Sequence, residues 1–357
     1  MEKQILAINP GSTSTKFGLF GNDEIIFDAV IRHSSDELSG FGKISDQLPF
    51  RKELIMKELE RRSIDVKKIG AVVGRGGLLK PIESGVYEVN EQMRKELKSS
   101  ERGEHASNLG GLIAADIAGD IPGAVAFIVD PVVVDELNEV ARLSGHPLLQ
   151  RRSIFHALNQ KAVARAYAES LNKNYEDMNL IVAHMGGGIS VGAHVRGRVV
   201  DVNNALNGEG PFSPERSGTL PAGQLVELCF SGRFSEKEVM KMINGRGGMV
   251  AYLDTNNFIE ICEKADSGDK KVKLVKEASS YQIAKEIAGC AAVMRGEVDA
   301  ILLTGGMAYE DSHNEYITEM VGFIAEVVVF PGEDELRALA HSGLLALNNK
   351  IKIKEYK

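Results

Sequence analysis

The chain has 357 residues, 43% of them hydrophobic, and a formal net charge of −8; that is enough apolar material for two cored domains. There is no basic excess, Trp is absent and aromatics make up only 6%, so neither a surface tracking a nucleic-acid backbone nor a platform for stacked bases is expected. No apolar run approaches a membrane span, and the one at 124–129 stops at Asp130 and Pro131. MEKQILAINPG lacks a signal-peptide pattern, and Cys229, Cys262 and Cys290 are odd in number and far apart. A reduced, cytoplasmic protein is therefore expected.

In chain order, residues 5–31 read as strands. In ILAINPGSTSTKFGLF, apolar runs at 5–8 and 17–20 flank a turn of Gly, Ser, Thr and one Lys. Residues 45–63 read as a helix with Leu54, Ile55 and Leu59 among many charges. IGAVVGRGG at 69–77 predicts a buried strand ending in a glycine-flanked arginine. NLGGLIAADIAGDIPG at 108–123 predicts a helix, and AVAFIVDP at 124–131 another buried strand. An Ala-rich helix at 157–171 opens a second half, where LIVAHMGGGISVGAHV at 180–195 repeats the plan of strand, small-residue turn and strand. Residues 203–250 read as loop-rich, and 278–294 as an amphipathic helix ended by Gly296 that puts Cys290 in the core. VDAILLTGGMA at 298–308 predicts a strand running into a Gly-Gly turn, before a last strand and a C-terminal helix with Glu333, Asp334 and Glu335 around its start. The alternation predicts an α/β fold of two duplicated domains, each a mixed β-sheet flanked by helices. Their expected extents are 1–153 plus about 335–357, and 154–334, with phosphates held in a cleft between them.

The candidate residues cluster where strands end, which is where α/β sheets bind ligands. Asn9 with Ser12, Ser14 and Lys16 forms a hydroxyl-rich turn suited to phosphate oxygens and the water shell of Mg²⁺. An ordinary hairpin turn would carry similar residues, and no Walker A loop is present. Gly186, Gly187 and Gly188 after His184 allow close approach to a polyphosphate. Gly305 and Gly306 offer a backbone surface for a flat adenosine. Arg75 in GRGG and Arg216 in SPERSG are placed to offset charge on a transferring phosphoryl group. Asp130 ends an apolar strand, where an unpaired carboxylate would be costly. No HExxH, paired CxxC or G-x-S-x-G is present, so neither a structural transition metal nor a serine hydrolase is indicated.

NPGSTSTKFGLF, GRGGLLKPIESGVYEVN, FIVDP, AHMGGGISVG, GPFSPERSGTLP, LLTGGMA and FPGEDEL, in this order, resemble the acetokinase family of the acetate and sugar kinase/heat-shock protein/actin superfamily. The resemblance spans essentially the whole chain. It implies actin-like (ribonuclease H-like) domains and reversible MgATP-dependent phosphorylation of a short-chain carboxylate, giving an acyl phosphate and ADP. It implies Asn9 and Asp334 at Mg²⁺, with Glu333 the weaker match, and Ser12, Ser14 and Lys16 near the phosphates. Arg75, Arg216, Asp130 and His156 would serve catalysis, His184 and Gly186–Gly188 the second phosphate turn, and Gly305 and Gly306 the adenosine. His105 lies near the family's other active-site histidine, in a different local pattern. The SPERSGTLP loop and the GRGGLLKPIESGVY stretch resemble the butyrate-using members more than the acetate-using ones. Acetate, propionate or branched-chain acids are the alternatives within the family. A non-catalytic ATP-binding regulator is the alternative outside it, against which both arginines, Asp130 and His156 speak. The family also implies a homodimer or higher homo-oligomer.

Overall fold

A computed structural model describes residues 3–357. The chain divides into two compact units, one running to Val134 and resuming over Asp334–Lys357, the other Asp135–Glu333. The junctions expected from sequence lie at 153/154 and 334/335, the first of them later along the chain. The displaced segment belongs to the second unit for a visible reason. Asn138 N–H donates to Val200 O at 2.9 Å, and Arg151 pairs with Asp201 at 2.8 Å, so residues 135–153 are tied to the strand edge at 198–202.

The first unit is built on seven strands: β1 (Gln4–Pro10), β2 (Ser14–Gly21), β3 (Glu24–Arg32), β4 (Ile69–Arg75), β5 (Val86–Glu88), β6 (Val125–Val129) and β12 (Ile353–Lys354), in the order β12-β5-β6-β4-β1-β2-β3. β1, β2 and β3 form an antiparallel meander, and β4 then joins β1 in parallel. Between their ends, β1 and β4 are apolar because helices cover both faces. Leu6, Ile8 and Val72 pack with Ile55 and Leu59 of helix Leu48–Arg61 and with Leu109 and Ile113 of helix Asn108–Asp120. On the opposite face, helix Glu335–Leu347 sets Gly343 against Ile5 and Val73.

The second unit repeats the plan with β7 (Asn179–Met185), β8 (Ile189–Val195), β9 (Arg198–Val202), β10 (Ala300–Gly305) and β11 (Val327–Pro331), in the order β11-β10-β7-β8-β9. β7, β8 and β9 again form a meander, and β10 again joins the first strand in parallel. Ile181, Ala183 and Met185 pack with Ile283 and Ile287 of helix Lys270–Val293, while Leu180, Val182 and Leu302 pack with Ala164 and Tyr167 of helix Ala157–Ser170. The duplication expected from the two hairpins is thus present as a shared topology. The stretch 203–250 differs from its loop-rich reading: it holds short helices at Ala222–Cys229, Glu236–Ile243 and Met249–Leu253. The second starts at a capping box in which Ser235 and Glu238 satisfy each other's backbone N–H groups. Among the described residues, no helix is long and apolar enough to cross a membrane.

Candidate active site

In the first unit, Asn9 and Arg75 meet because β1 and β4 are parallel neighbours and both residues stand at carboxyl ends. Arg75 Nη1 lies 3.4 Å from Asn9 Oδ1 and 3.2 Å from Glu335 Oε2. Asn9 Nδ2 donates to the same Glu335 carboxylate. Glu335 is the first residue of helix Glu335–Leu347 and is only 6% exposed. The carboxylate beside Asn9 is therefore Glu335, not Asp334. Asp334 is the N-cap of that helix: its carboxylate accepts from Arg337 N–H, pairs with Arg337 Nε at 3.0 Å, and is 66% exposed. Glu333 belongs to the second unit, where Oε1 lies 3.0 Å from His184 Nε2. Three consecutive acids thus do three different things.

The first turn is held from beneath by Arg51, a residue not among the candidates that the sequence suggests. Arg51, 1% exposed, donates through Nη1 to Gly11 O (2.8 Å) and Ser14 O (3.0 Å), and through Nη2 to Ser12 O (3.2 Å). Gln47 and Thr15 accept its other bonds, and no carboxylate pairs with it among the described residues. Burial pushes its pKa down to about 10, so it is charged at neutral pH. With these carbonyls engaged on the guanidinium, Ser12 and Ser14 stay exposed or half-exposed, and Lys16, opposite Asn9 in the hairpin register, is exposed. Asp130 follows β6 with φ +36° and is 2% exposed; its Oδ1 accepts from Gly85 N–H at 2.7 Å, which anchors the loop before β5. The strand end at Arg75 is approached closely by helix Asn108–Asp120, where a Cβ on Gly110 would overlap the Arg75 carbonyl. His105 Nδ1 lies 2.8 Å from Ser107 Oγ, just before that helix.

In the second unit, His184 is the penultimate residue of β7 and His156 the N-cap of helix Ala157–Ser170. Their rings stack with centroids 3.8 Å apart and 14° between planes. His184 Nδ1 lies 2.7 Å from Asn159 Oδ1, and His156 Nδ1 lies 2.9 Å from Ser190 Oγ, directly across from His184 in the β7–β8 register. The three glycines make room for side chains. A Cβ at Gly188 would overlap the Arg216 guanidinium, and one at Gly186 would stand 3.1 Å from Glu333 Oε1. Arg216 is set by a tight loop in which Ser213 N–H donates to Arg216 O (2.9 Å) and Arg216 N–H to Ser213 Oγ (3.1 Å). Ser213 Oγ also donates to Gly187 O at 2.6 Å, joining this loop to the glycine turn. Arg216 Nη1 donates to Ala205 O, while its Nε is buried with no partner among the described residues. Burial lowers the Arg216 pKa, opposed by Glu215. Gly305 closes β10 with φ +93°, and a Cβ there would overlap Met185 backbone, so glycine is required. A Cβ on Gly306 would meet nothing within 4 Å.

The first unit thus gathers an amide, a carboxylate and an arginine at its strand ends, and the second an arginine and two stacked imidazoles at its own. Such a set can bind an anion and stabilise charge moving between oxygens. A signal for Arg51 was present: it shares the i, i+4, i+8 stripe with Ile55 and Leu59, the buried face of its helix.

The Acetokinase family model matches residues 137–327, more than half the chain. Butyrate kinase 1 of Clostridium acetobutylicum is 56% identical over 354 residues, covering 99% of each chain. Butyrate kinase 2 of the same organism is 54% identical over 357 residues, covering 100% of each. Among solved structures, Porphyromonas gingivalis acetate kinase superposes with a TM-score of 0.78 at 18% identity, covering 96% of this chain and 100% of that one. A propionate kinase from Francisella tularensis gives 0.74 at 18% identity, covering 95% and 98%. The structural likeness supports the actin-like α/β fold class. With relatives of this identity along its full length, the chain belongs to the acetokinase family.

Proposed function

We propose that this chain is a butyrate kinase, transferring the γ-phosphoryl group of MgATP to the carboxylate of butyrate or a similar short-chain acid, and the reverse. The two full-length relatives support the acid; the residues support the chemistry. A carboxylate oxygen forms a bond to the γ-phosphorus, and the bond from that phosphorus to the β–γ bridging oxygen breaks, its electron pair leaving with ADP. No proton moves, since the acid is already ionised at neutral pH. The difficulty is to bring an anion up to a polyanion, and cationic or N–H donors answer it.

The single observation that carries this reading is the buried Nε–H of Arg216, unpartnered among the described residues, on a guanidinium whose Nη1 lies against Gly188. A buried donor without an acceptor is unfavourable by about 1–3 kcal/mol, and a transferring phosphoryl oxygen would satisfy it. Arg75 supplies a second cation, and His156 a hydrogen bond to the same group. The hydroxyl turn of Ser12 and Ser14, with Lys16, and the turn of Gly186–Gly188 with His184 would hold the polyphosphate. Gly305 and Gly306 would take the adenosine, and Asp130 keeps the loop at Gly85 in place. Asn9 and Glu335 supply hard oxygen donors, and among the described residues there is no group of three or more His, Cys, Asp or Glu able to hold a metal. That small donor set fits Mg²⁺, which keeps much of its water and binds substrate phosphates; when bound it would neutralise phosphate charge. We expect the protein to be cytoplasmic and to form a homodimer or higher homo-oligomer. The exposed Phe230 and Phe323 of the second unit provide apolar surface for self-association.

The test is ADP release from MgATP with acetate, propionate, butyrate, isobutyrate or no acid, with hydroxylamine trapping the acyl phosphate. Turnover strongest with four-carbon acids is expected. Equal ADP release without any acid, and no hydroxamate, would overturn the assignment.

A further inference from the structure

Beneath His156 runs a chain of buried polar side chains that the reaction chemistry above does not use. Gln160, fully buried one helical turn after His156, donates through Nε2 to Ser190 O at 2.9 Å and to Ser190 Oγ at 2.8 Å. Its Oε1 meets His194 Nε2 at 2.9 Å, and His194 Nδ1 meets Tyr175 Oη at 2.7 Å. Gly192 leaves the space for this: a Cβ there would stand 2.6 Å from Gln160 Oε1 and 3.2 Å from His194 Nε2.

Every bond in the chain has a determined direction. A backbone carbonyl only accepts, so Ser190 O fixes the Gln160 amide with its nitrogen toward Ser190 and its oxygen toward His194. His194 must then carry its proton on Nε2 and present Nδ1 to the Tyr175 hydroxyl. His194 is wholly buried, and burial with the nearby Lys161 ammonium holds its pKa well below the ordinary value, so it is neutral. At the other end, Ser190 Oγ accepts from Gln160 Nε2 and, at 3.4 Å, from the His156 backbone N–H, which fills both lone pairs and leaves its one proton for His156 Nδ1, 2.9 Å away. The proton of neutral His156 is thereby left on Nε2.

We infer that Gln160 and Ser190 are positioning residues that lock His156 in the Nε2–H tautomer, so that this ring always offers a donor from Nε2. The inference rests on the reading that His156 hydrogen-bonds the transferring phosphoryl group; the other tautomer would offer a lone pair to an anion.

The test uses the full chain labelled with ¹⁵N-histidine. Long-range ¹H–¹⁵N correlation reads which ring nitrogen is protonated, and His156→Gln assigns the resonance. In the unsubstituted protein His156 is expected to be bare at Nδ1 and protonated at Nε2. Gln160→Met and Ser190→Ala are expected to give mixed tautomers, with kcat lower by about tenfold or more and KM for MgATP within about twofold. Ser190→Thr, which keeps the hydroxyl, is expected to restore both. Should Gln160→Met fail to fold, Gly192→Ala disturbs the same amide without removing a polar group. A proton on Nδ1 of His156, or a tautomer unmoved by Ser190→Ala and Gln160→Met, overturns the inference. Full turnover by His156→Gln, with the expected tautomer present, would instead overturn the catalytic reading of His156 and the positioning role with it.

Discussion

The two hairpin turns share a topology and differ in what stands around them. The first is rich in hydroxyls and is pinned from beneath by Arg51, whose guanidinium grips three of its carbonyl oxygens and has no carboxylate partner among the described residues. The second is three glycines long, and the space they leave is filled by Arg216 and approached by Glu333. One turn is a preformed backbone cradle over a buried positive charge. The other lacks side chains, so that a cation can stand against its backbone. The difference teaches that duplication fixed where the strand ends lie, while side chains from later segments gave each end its own task. The first turn should govern nucleotide affinity, and the second the rate of transfer.

The largest effect is expected at Arg216. Arg216→Ala should lower kcat by about 10³-fold or more, the range seen when an arginine at a transferring phosphoryl group is lost, with nucleotide affinity changed only a few-fold. Steady-state hydroxamate formation and MgADP titration check it. Next come the adjacent acids. Glu335→Gln should lower kcat/KM by about 10²-fold and raise the Mg²⁺ requirement, since it alters the carboxylate shared by Asn9 and Arg75. Asp334→Ala should leave turnover within about twofold and weaken the helix start by about 1 kcal/mol, measured by thermal melting. Equal losses in the two would return the metal role to Asp334.

Arg51→Lys keeps the charge and loses the planar fork; it should weaken MgATP binding by about tenfold and leave the bound-state rate nearly unchanged. The smallest effect concerns His313, whose pKa burial pushes down to about 3, with Nε2 buried and unpartnered among the described residues. The unfolded chain binds a proton there near pH 6.5, so stability is complete above that pH and is lost as pH falls toward 3. Melting temperature should fall through this window, and His313→Gln should remove about 2–4 °C of that fall.

Much of this was legible in the sequence. Apolar runs broken by small-residue turns located both hairpins, and the polar residues at or just past the ends of β1, β4, β6 and β7 marked the site end of each sheet. The unread parts depend on phase and on neighbours remote in sequence. Which of Glu333, Asp334 and Glu335 faces Asn9 is set by where the last helix begins, a matter of one residue. Arg51 reads as one more charge in LPFRKELIMKELER unless its apolar stripe is followed. Gln160 and His194 acquire meaning only when helix Ala157–Ser170 lies on β8.

The most direct test measures MgATP affinity and the single-turnover rate of phosphoryl transfer to butyrate, side by side, on Arg51→Lys and Arg216→Ala. A crossed pattern is predicted: weakened binding with a near-normal rate for the first, and near-normal binding with a collapsed rate for the second. Parallel losses of affinity and rate in both variants would contradict the division of labour between the two turns.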